Sequence, residues 1–358
     1  MKKNTFGNLL FLFFIISTFL VFVLFTFSKS QKTKPIFNKL EKSALVKKVP
    51  DSYSVWIPSW KVDKSLISLE GASAKVSYAM PVIYALDKNG RVNSINFNKY
   101  DELEKKLKGK NIKIMPTVTN VTGRGFDGNL VTLFLENKEE NSVKLIELAR
   151  EHNYSGYDID FELIKQSDKQ NFSDFVYYFS EILHQNKMQL SVTVHAQSER
   201  MDSKVSAGQD IRSISKNADF VRIMAYDFHN LETEPGPITP TKELKEVIEF
   251  SKTTVDIDKL AICLPLYGYE WDRNVGGGRP VEFDETAKYI FENLIEPKRD
   301  QDSGEMTYEY TSANKRYVVW YQDSQSLIRK VEIAKSFGVK NFCFWSLGGE
   351  DPNIWSSL

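Results

Sequence analysis

The chain is poor in cysteine and has no excess of charge of either sign. Its two cysteines, Cys263 and Cys343, lie far apart among 358 residues, without the spacing of a zinc site or the density of a disulfide framework. Each lies in an apolar run, "LAICLPL" or "NFCFWSL", so buried free thiols are predicted rather than a disulfide. Lys plus Arg and Asp plus Glu both number 47, and no long basic stripe occurs, which argues against nucleic-acid binding.

The sequence also lacks the glycine-rich phosphate loop that a doubly wound open sheet usually carries after its first strand. The first strand candidate, "YSVWIP" from Tyr53, is followed by "SW" instead. Apart from one acidic stretch, no cluster of acids or histidines stands out, so neither a metal nor a cofactor is expected. The composition, 42% hydrophobic and 13% aromatic, is that of a folded globular protein with a large core.

One long hydrophobic run lies near the N-terminus. Residues 9–27 carry no charge, Gly or Pro, and this length is close to the roughly 20 residues that cross a bilayer. A cleaved signal has a shorter apolar region and a small-residue cleavage site, whereas this run ends "FTFSKS". Residues 1–28 are predicted to be a signal anchor, with a cleaved signal peptide as the alternative, and residues 29–50 a linker. Because Lys2 and Lys3 stay inside, the remainder would be extracytoplasmic, either membrane-anchored or secreted.

Short apolar runs alternate with amphipathic stretches from Asp51 to the end of the chain. Such alternation predicts right-handed βαβ units and a parallel sheet, and residues 51–358 exceed the about 250 that a (β/α)8 TIM barrel needs. The surplus, about residues 270–319, predicts a small α+β insertion between strands 7 and 8, on the active face. The eight strand candidates are "YSVWIP", "KVSYAMPVIYAL", "IKIMPTV", "GYDIDFE", "MQLSVTVHA", "FVRIMAYDF", "KLAICLPLYG" and "VKNFCFWSL".

The stretch "YDIDFE" places Asp158, Asp160 and Glu162 at every second position, which is one face of a strand. An edge strand with one wet face would explain the pattern without any function. In a parallel barrel, however, both faces are covered, so the acidic face points into the barrel or its mouth. Three like charges there predict that at least one carboxyl holds a proton, as general acid catalysis requires. A divalent metal could also occupy such a site, but further ligands are missing.

Several motifs resemble one enzyme family in the order in which that family carries them. "SGYDIDFE" resembles the D-G-x-D-x-D-x-E signature of glycoside hydrolase family 18, the chitinase-like barrels. "MAYD", "LPLYGYEW", "VVWYQDSQSL" and the tryptophan of "FCFWSLGG" are similar to later segments of that family. "WIPSW", "IMPTVTN" and "LPLYGYEW" look most like the bacterial branch of cell-wall and spore-cortex N-acetylglucosaminidases.

The resemblance implies a substrate-assisted mechanism, in which the substrate itself supplies the nucleophile. Glu162 would protonate the glycosidic oxygen, while the 2-acetamido carbonyl oxygen attacks to give an oxazolinium ion and retention. Asp160 would accept the acetamido N–H, and Tyr226 would hold the acetamido oxygen in line. Asp158 would repel Asp160 toward Glu162 and share a proton with it.

The resemblance also implies a set of substrate-binding residues. Trp345 would form the floor under the distorted sugar, and Asp227 and Met224 would line the same pocket. Tyr267 and Trp56 are candidates for stacking on sugars. Packing in the core or at the rim is the alternative for each of these side chains.

Two departures from the family pattern stand out. Ser155 occupies the position of the first Asp of the signature, which supports the proton shuttle from beneath, so the pH optimum is expected to differ. "MPTVTN" stands at strand three where S-x-G-G is usual, which suits the cell-wall branch better than a typical chitinase.

The function implied is a monomeric, retaining glycosidase that cleaves β-1,4 bonds in polymers containing N-acetylglucosamine, either peptidoglycan or chitin-like. One alternative is a chitinase-like lectin that binds glycans without cleaving them, although such lectins usually lose the residue equivalent to Glu162. A structural wall or coat protein is the third possibility.

Overall fold

The computed structural model describes residues 51–199 and 205–358. The predicted anchor and linker, residues 1–50, therefore lie outside the described residues. Within the described ranges, no helix is long and apolar enough to cross a membrane.

Eight parallel strands close into a barrel, as the alternating pattern predicted. Neighbouring strands pair in chain order, and the first strand pairs with both the second and the eighth, which closes the ring. The barrel strands are β1 (Ser52–Pro58), β2 (Val76–Leu86), β3 (Thr117–Thr119), β4 (Gly156–Asp160), β5 (Gln189–His195), β6 (Phe220–Met224), β7 (Leu260–Pro265) and β8 (Asn341–Trp345). A short segment before β3, Lys113–Ile114, also pairs with β2.

Helices follow the barrel strands and cover the barrel from outside. They are α1 (Val62–Ala72), α2 (Tyr100–Gly109), α3 (Gly128–Glu136), α4 (Lys138–His152), α5 (Lys169–Gln185), α6 (Ile211–Asn217), α7 (Thr241–Ser251), α8 (Phe283–Asn293), α9 (Ser324–Ser336) and α10 (Asn353–Ser357). Short 3-10 turns form at Ser59–Lys61 and Gln166–Asp168. A short strand, Val92–Ser94, pairs with β2, and Val121–Thr122 pairs with Gly125–Phe126.

Alternation along β4 places apolar side chains outward and acids inward. Tyr157 and Ile159 are fully buried in the layer between strands and helices, as is Phe161 just beyond the strand. Phe161 packs edge-on against Phe134 of α3, with ring centroids 5.0 Å apart. The predicted strand extended to Glu162, but β4 ends at Asp160, so Glu162 lies on the segment that leaves the barrel.

The two cysteines form a disulfide, and the prediction of free thiols was wrong. Cys263 on β7 and Cys343 on β8 are direct partners in the strand register, and their sulfur atoms are bonded. Both side chains point into the barrel, within a cluster that includes Trp56 and Met115. Their distance in sequence concealed this adjacency, because the long segment between β7 and β8 separates two strands that pair directly in the barrel.

The chain between β7 and α9 builds a separate antiparallel sheet of five strands. In spatial order these are Gly278–Glu282, Tyr267–Asp272, Lys315–Tyr321, Met306–Ser312 and Lys298–Arg299. Helix α8 lies within the same segment, and a cluster of its own contains Val281, Tyr308, Val319 and Tyr321. An ion pair of 2.8 Å joins Glu282 of this sheet to Lys61 after β1.

Candidate active site

A cavity of about 1040 Å³ opens at the carboxyl ends of the barrel strands. Active sites of this architecture lie at that end, where successive strands deliver side chains to one place. Eight of the nine predicted site residues line the cavity: Trp56, Asp160, Glu162, Met224, Tyr226, Asp227, Tyr267 and Trp345. The ninth, Asp158, lies deeper in the barrel and is fully buried.

Asp158 is surrounded by hydrogen-bond donors from five neighbouring residues. Its oxygens accept hydrogen bonds from Trp56 Nε1 (3.2 Å), Thr117 Oγ1 (3.1 Å), Ser191 Oγ (2.7 Å) and Thr193 Oγ1 (3.0 Å), and Arg222 Nε lies 3.7 Å away. These contacts fix the orientation of the Asp158 carboxyl group below the cavity.

Asp160 differs from Asp158 in its hydrogen bonding. Its Oδ1 atom is buried without a hydrogen-bond partner. The pKa of the Asp160 carboxyl is raised well above its usual value, because burial disfavours the charged form and because Glu162 and Asp158 add negative charge nearby. The Asp160 carboxyl therefore retains its proton well above the usual pH for Asp and has an acceptor atom available to a ligand.

Glu162 projects into the cavity from the segment after β4. Its side chain is 15% exposed, and Oε2 lies 3.1 Å from Nε2 of His195, the last residue of β5. The ring nitrogen is not aligned for a hydrogen bond with this oxygen. Glu162 lines the cavity and accepts no hydrogen bond from Tyr267 or Tyr269, unlike Asp227, so its carboxyl group can face a glycosidic oxygen.

A group of tyrosines lies around Asp227, beyond the end of β6. Asp227 accepts hydrogen bonds from the hydroxyl of Tyr267 and, at 2.9 Å, from that of Tyr269. Burial raises the pKa of Asp227, while these hydroxyl groups partly offset the effect. Burial also raises the pKa of Tyr226 well above its usual value, and the nearby charges of Asp160 and Asp227 add to this. Tyr226 is therefore a neutral hydroxyl that can donate a hydrogen bond.

Two tryptophans form the floor of the cavity. Trp345 ends β8, and its ring centroid lies 5.9 Å from that of Trp56 in an edge-on arrangement. Trp56 is almost fully buried, and its indole N–H is used by Asp158, so it acts mainly by holding that carboxylate. Trp60, also on the cavity wall, is 73% exposed and offers a more accessible aromatic surface.

Several supporting residues were missed by the sequence reasoning. Ser191 and Thr193 alternate on the inward face of β5 and both contact Asp158, so a polar pattern inside a predicted barrel strand was the available signal. Arg222 is 1% exposed, and a charged residue within the apolar run of β6 was a second signal. Ser155 lies at the start of β4, where its N–H donates to Ile114 O at 2.8 Å.

No group of His, Cys, Asp and Glu in residues 51–199 or 205–358 has the arrangement of a metal site. The cavity instead combines several carboxyl groups, one of which, Asp160, has a raised pKa, with a neutral tyrosine and aromatic walls. Aromatic walls suit the apolar faces of sugar rings, and neighbouring carboxyl groups in different environments suit acid catalysis.

Comparisons with known proteins identify the family of this chain. A sequence model for glycosyl hydrolases family 18 matches residues 22–350. The uncharacterized glycosylase YvbX of Bacillus subtilis is 30% identical over 283 residues, which cover 77% of this chain and 81% of that protein. The cortical fragment-lytic enzyme of Bacillus subtilis is 24% identical over 258 residues, covering 70% of this chain and 60% of that protein. The chain thus spans less than two thirds of the latter's length.

Among solved structures, a chitinase from Chromobacterium violaceum ATCC 12472 has a TM-score of 0.80 with this chain. The sequence identity is 23%, and the match covers 86% of this chain and 97% of the chitinase. At this level of sequence identity, the comparison shows that the two proteins share a fold.

Proposed function

Because the chain belongs to glycosyl hydrolases family 18 and is a glycoside hydrolase, we propose that it cleaves β-1,4 bonds beside N-acetylglucosamine with retention of configuration. The substrate class is a polymer that contains N-acetylglucosamine, and peptidoglycan is the first candidate. The name of one relative, the cortical fragment-lytic enzyme of Bacillus subtilis, supports this class.

The observation that carries the proposal is the unpartnered Oδ1 of Asp160. An acetamido group carries an N–H that can donate to this atom, so the bound substrate supplies the hydrogen bond that the free protein lacks. The same contact fixes the acetamido oxygen near the anomeric carbon, where it can act as the nucleophile. A buried acceptor that gains its partner only from the ligand discriminates strongly against sugars without the amide.

In the proposed first step, the acetamido oxygen forms a bond to the anomeric carbon while the bond to the glycosidic oxygen breaks. Glu162 donates its proton to the departing oxygen. Positive charge develops on the oxazolinium ion, which the carboxyl of Asp160 stabilises by accepting a hydrogen bond from the acetamido N–H. In the second step, water attacks the anomeric carbon while Glu162 removes a proton from that water. The bond between the anomeric carbon and the acetamido oxygen breaks in this step, which regenerates the acetamido group.

Tyr226 and the floor of the cavity orient the sugar in this scheme. The neutral hydroxyl of Tyr226 donates to the acetamido oxygen and aligns it for attack. Trp345 supports the apolar face of the sugar, and Met224 and Asp227 close the wall beside it. Tyr267 acts through Asp227, because its hydroxyl is hydrogen-bonded to that carboxyl.

The proposal places the barrel outside the cytoplasm, tethered by residues 9–27 or released after cleavage. The Cys263–Cys343 disulfide supports this location, because disulfides persist mainly in oxidising compartments. We also propose that the protein acts as a monomer, since one chain supplies all of the residues assigned to the reaction.

Product analysis tests the proposal. The full chain is incubated separately with purified peptidoglycan and with chitin oligomers, and the products are identified by mass spectrometry. We expect new reducing ends at N-acetylglucosamine. Binding of both glycans without any new reducing ends would contradict the proposal and favour a lectin, and failure to bind either would favour a structural wall or coat protein.

A further inference from the structure

Glu162 lies on a segment that strand pairing does not hold. The strand β4 ends at Asp160, and Leu163, immediately after Glu162, adopts a left-handed conformation with φ of 53°. This conformation is unfavourable for residues with a branched side chain and persists where the surroundings impose it. Some other interaction must therefore fix the backbone that carries the acid.

Asn120, next to β3, provides one such interaction. Its Oδ1 accepts a hydrogen bond from the N–H of Glu162 at 2.9 Å, and its Nδ2 donates to the carbonyl of Glu162 at 2.8 Å. The amide thus pairs with both main-chain groups of Glu162, as a neighbouring strand would. Asn120 is fully buried, and its Nδ2 also donates to Asp127 O at 3.0 Å, so the amide is itself fixed.

Gln209 provides a second interaction on the opposite side. Its Nε2 donates to the carbonyl of Phe161 at 3.1 Å, and its Oε1 accepts from the N–H of His195 at 3.1 Å. Gln209 therefore joins the backbone just before Glu162 to the end of β5, the strand whose His195 contacts the carboxylate. Gln209 is buried as well.

We propose that Asn120 and Gln209 are positioning residues, whose side-chain amides hold the peptide of Glu162 in the orientation needed for proton transfer. This inference rests on the proposed role of Glu162 as the general acid. Both residues act through the main chain of Glu162 and not on the substrate. Their loss should therefore lower kcat far more than it changes KM, since a displacement of about 1 Å can lower the rate about 100-fold.

The chain contains a matched control for Asn120. Asn141 in α4 is also buried, its Oδ1 accepts from the N–H of Val92 at 2.9 Å, and its Nδ2 donates to Gly90 O at 3.0 Å. It thus also accepts one main-chain hydrogen bond and donates another, but to Val92 at the start of a short strand and to Gly90 in the turn before it, neither of which lines the cavity. Asn120→Ala and Asn141→Ala remove comparable interactions, so they should destabilise the fold to a similar degree.

The experiment compares Asn120→Ala, Gln209→Ala and Asn141→Ala in the full chain by steady-state kinetics and thermal unfolding. We expect kcat to fall about 10- to 100-fold in the first two variants, with KM changed less than about threefold, and kcat to stay within about threefold of wild type in Asn141→Ala. Equal kcat in Asn120→Ala and Asn141→Ala would overturn the inference. If Asn120→Ala does not fold, the kcat values of Gln209→Ala and Asn141→Ala are compared instead, and equal values would overturn the inference.

Amide hydrogen exchange provides a readout that does not require turnover. The N–H of Glu162 should exchange at least about tenfold faster in Asn120→Ala than in wild type or Asn141→Ala, because its buried acceptor is gone. Unchanged exchange at Glu162 would overturn the inference even if kcat falls. A wild-type protein without glycosidase activity would instead contradict the proposed function, while the exchange rates would still decide whether Asn120 holds this peptide.

Discussion

Asp158 and Asp160 lie two residues apart on the same face of β4, yet their hydrogen bonding is opposite. Four side chains donate to Asp158 and a buried guanidinium lies beside it, whereas Oδ1 of Asp160 is buried without a partner. The carboxyl of Asp158 thus has its hydrogen bonds within the protein, whereas Asp160 has a buried acceptor atom without a donor. This difference assigns separate roles to two residues that look equivalent in sequence.

The first prediction concerns stability as a function of pH. The raised pKa of Asp160 means that the folded state binds more protons than the unfolded state above the ordinary Asp value of about 4. Stability should therefore fall as pH rises from about 4 through the folded pKa. Asp160→Asn removes the buried group that ionises. The free energy of unfolding of this variant should therefore exceed that of wild type by an amount that grows with pH.

Urea unfolding between pH 4 and pH 8 measures this effect. Asp174→Asn, a change at an exposed carboxylate hydrogen-bonded to Gln170, is the control and should follow wild type. A constant difference between Asp160→Asn and wild type at all pH values would show that Asp160 is not the titrating group.

The second prediction concerns Tyr226. Its neutral hydroxyl is proposed to align the acetamido oxygen with the anomeric carbon, and a displacement of a reacting atom by about 1 Å can lower the rate about 100-fold. Tyr226→Phe should show a loss of this size in steady-state kinetics. Tyr84→Phe, which alters a buried hydroxyl hydrogen-bonded to Tyr154 at 3.3 Å, should retain turnover. A Tyr226→Phe enzyme with wild-type kcat would remove Tyr226 from the mechanism.

The third prediction concerns the buried pair of Arg222 and Asp158. Removing one partner of such a pair leaves an uncompensated charge, which typically lowers stability by about 3–5 kcal/mol. Arg222→Met should therefore unfold at much lower denaturant concentration, and Asp158→Asn in the same chain should recover part of the loss. Independent, additive effects of the two substitutions would contradict the pairing.

The barrel could be predicted from sequence because its signals are local. The alternation of "YDIDFE" indicates which side chains of one strand share a face, and the spacing of apolar residues in "YDELEKKLKG" is typical of a helix, α2, which ends at Gly109. Side chains at the carboxyl ends of parallel strands meet at the same end of the barrel. The acids were accessible to this reasoning, whereas Tyr226 and Trp345 followed from the resemblance of their motifs to a known family.

Features that depend on the register between distant segments were not accessible. The bond between Cys263 and Cys343 forms because β8 pairs beside β7 with these two positions opposite each other, which neither apolar run reveals. Asn120 follows β3 and Gln209 lies in the segment between β5 and α6, and their partners near Glu162 are main-chain groups without any sequence signature. The position of Glu162 beyond the end of β4 could not be predicted either, because the residue at which a strand ends depends on its pairing with neighbouring strands.

The fourth prediction follows from the disulfide. It closes a loop with a sequence separation of 80, and loss of a native disulfide commonly lowers stability by about 2–5 kcal/mol. Cys263→Ser with Cys343→Ser should therefore lower Tm relative to the oxidised protein, and addition of a reductant to wild type should do the same. Two free thiols in the purified, non-reduced protein, detected by mass spectrometry after alkylation, would contradict the bond.

The central claim is that Glu162 acts as the general acid of a substrate-assisted glycosidase, and Glu162→Gln tests it most directly. The amide fills the same space but has no acidic proton to transfer, so the fold and the binding of N-acetylglucosamine oligomers should persist. Release of reducing ends from peptidoglycan or chitin oligomers by the full chain should fall at least about 100-fold. Wild-type release of reducing ends by a folded Glu162→Gln protein would contradict the account.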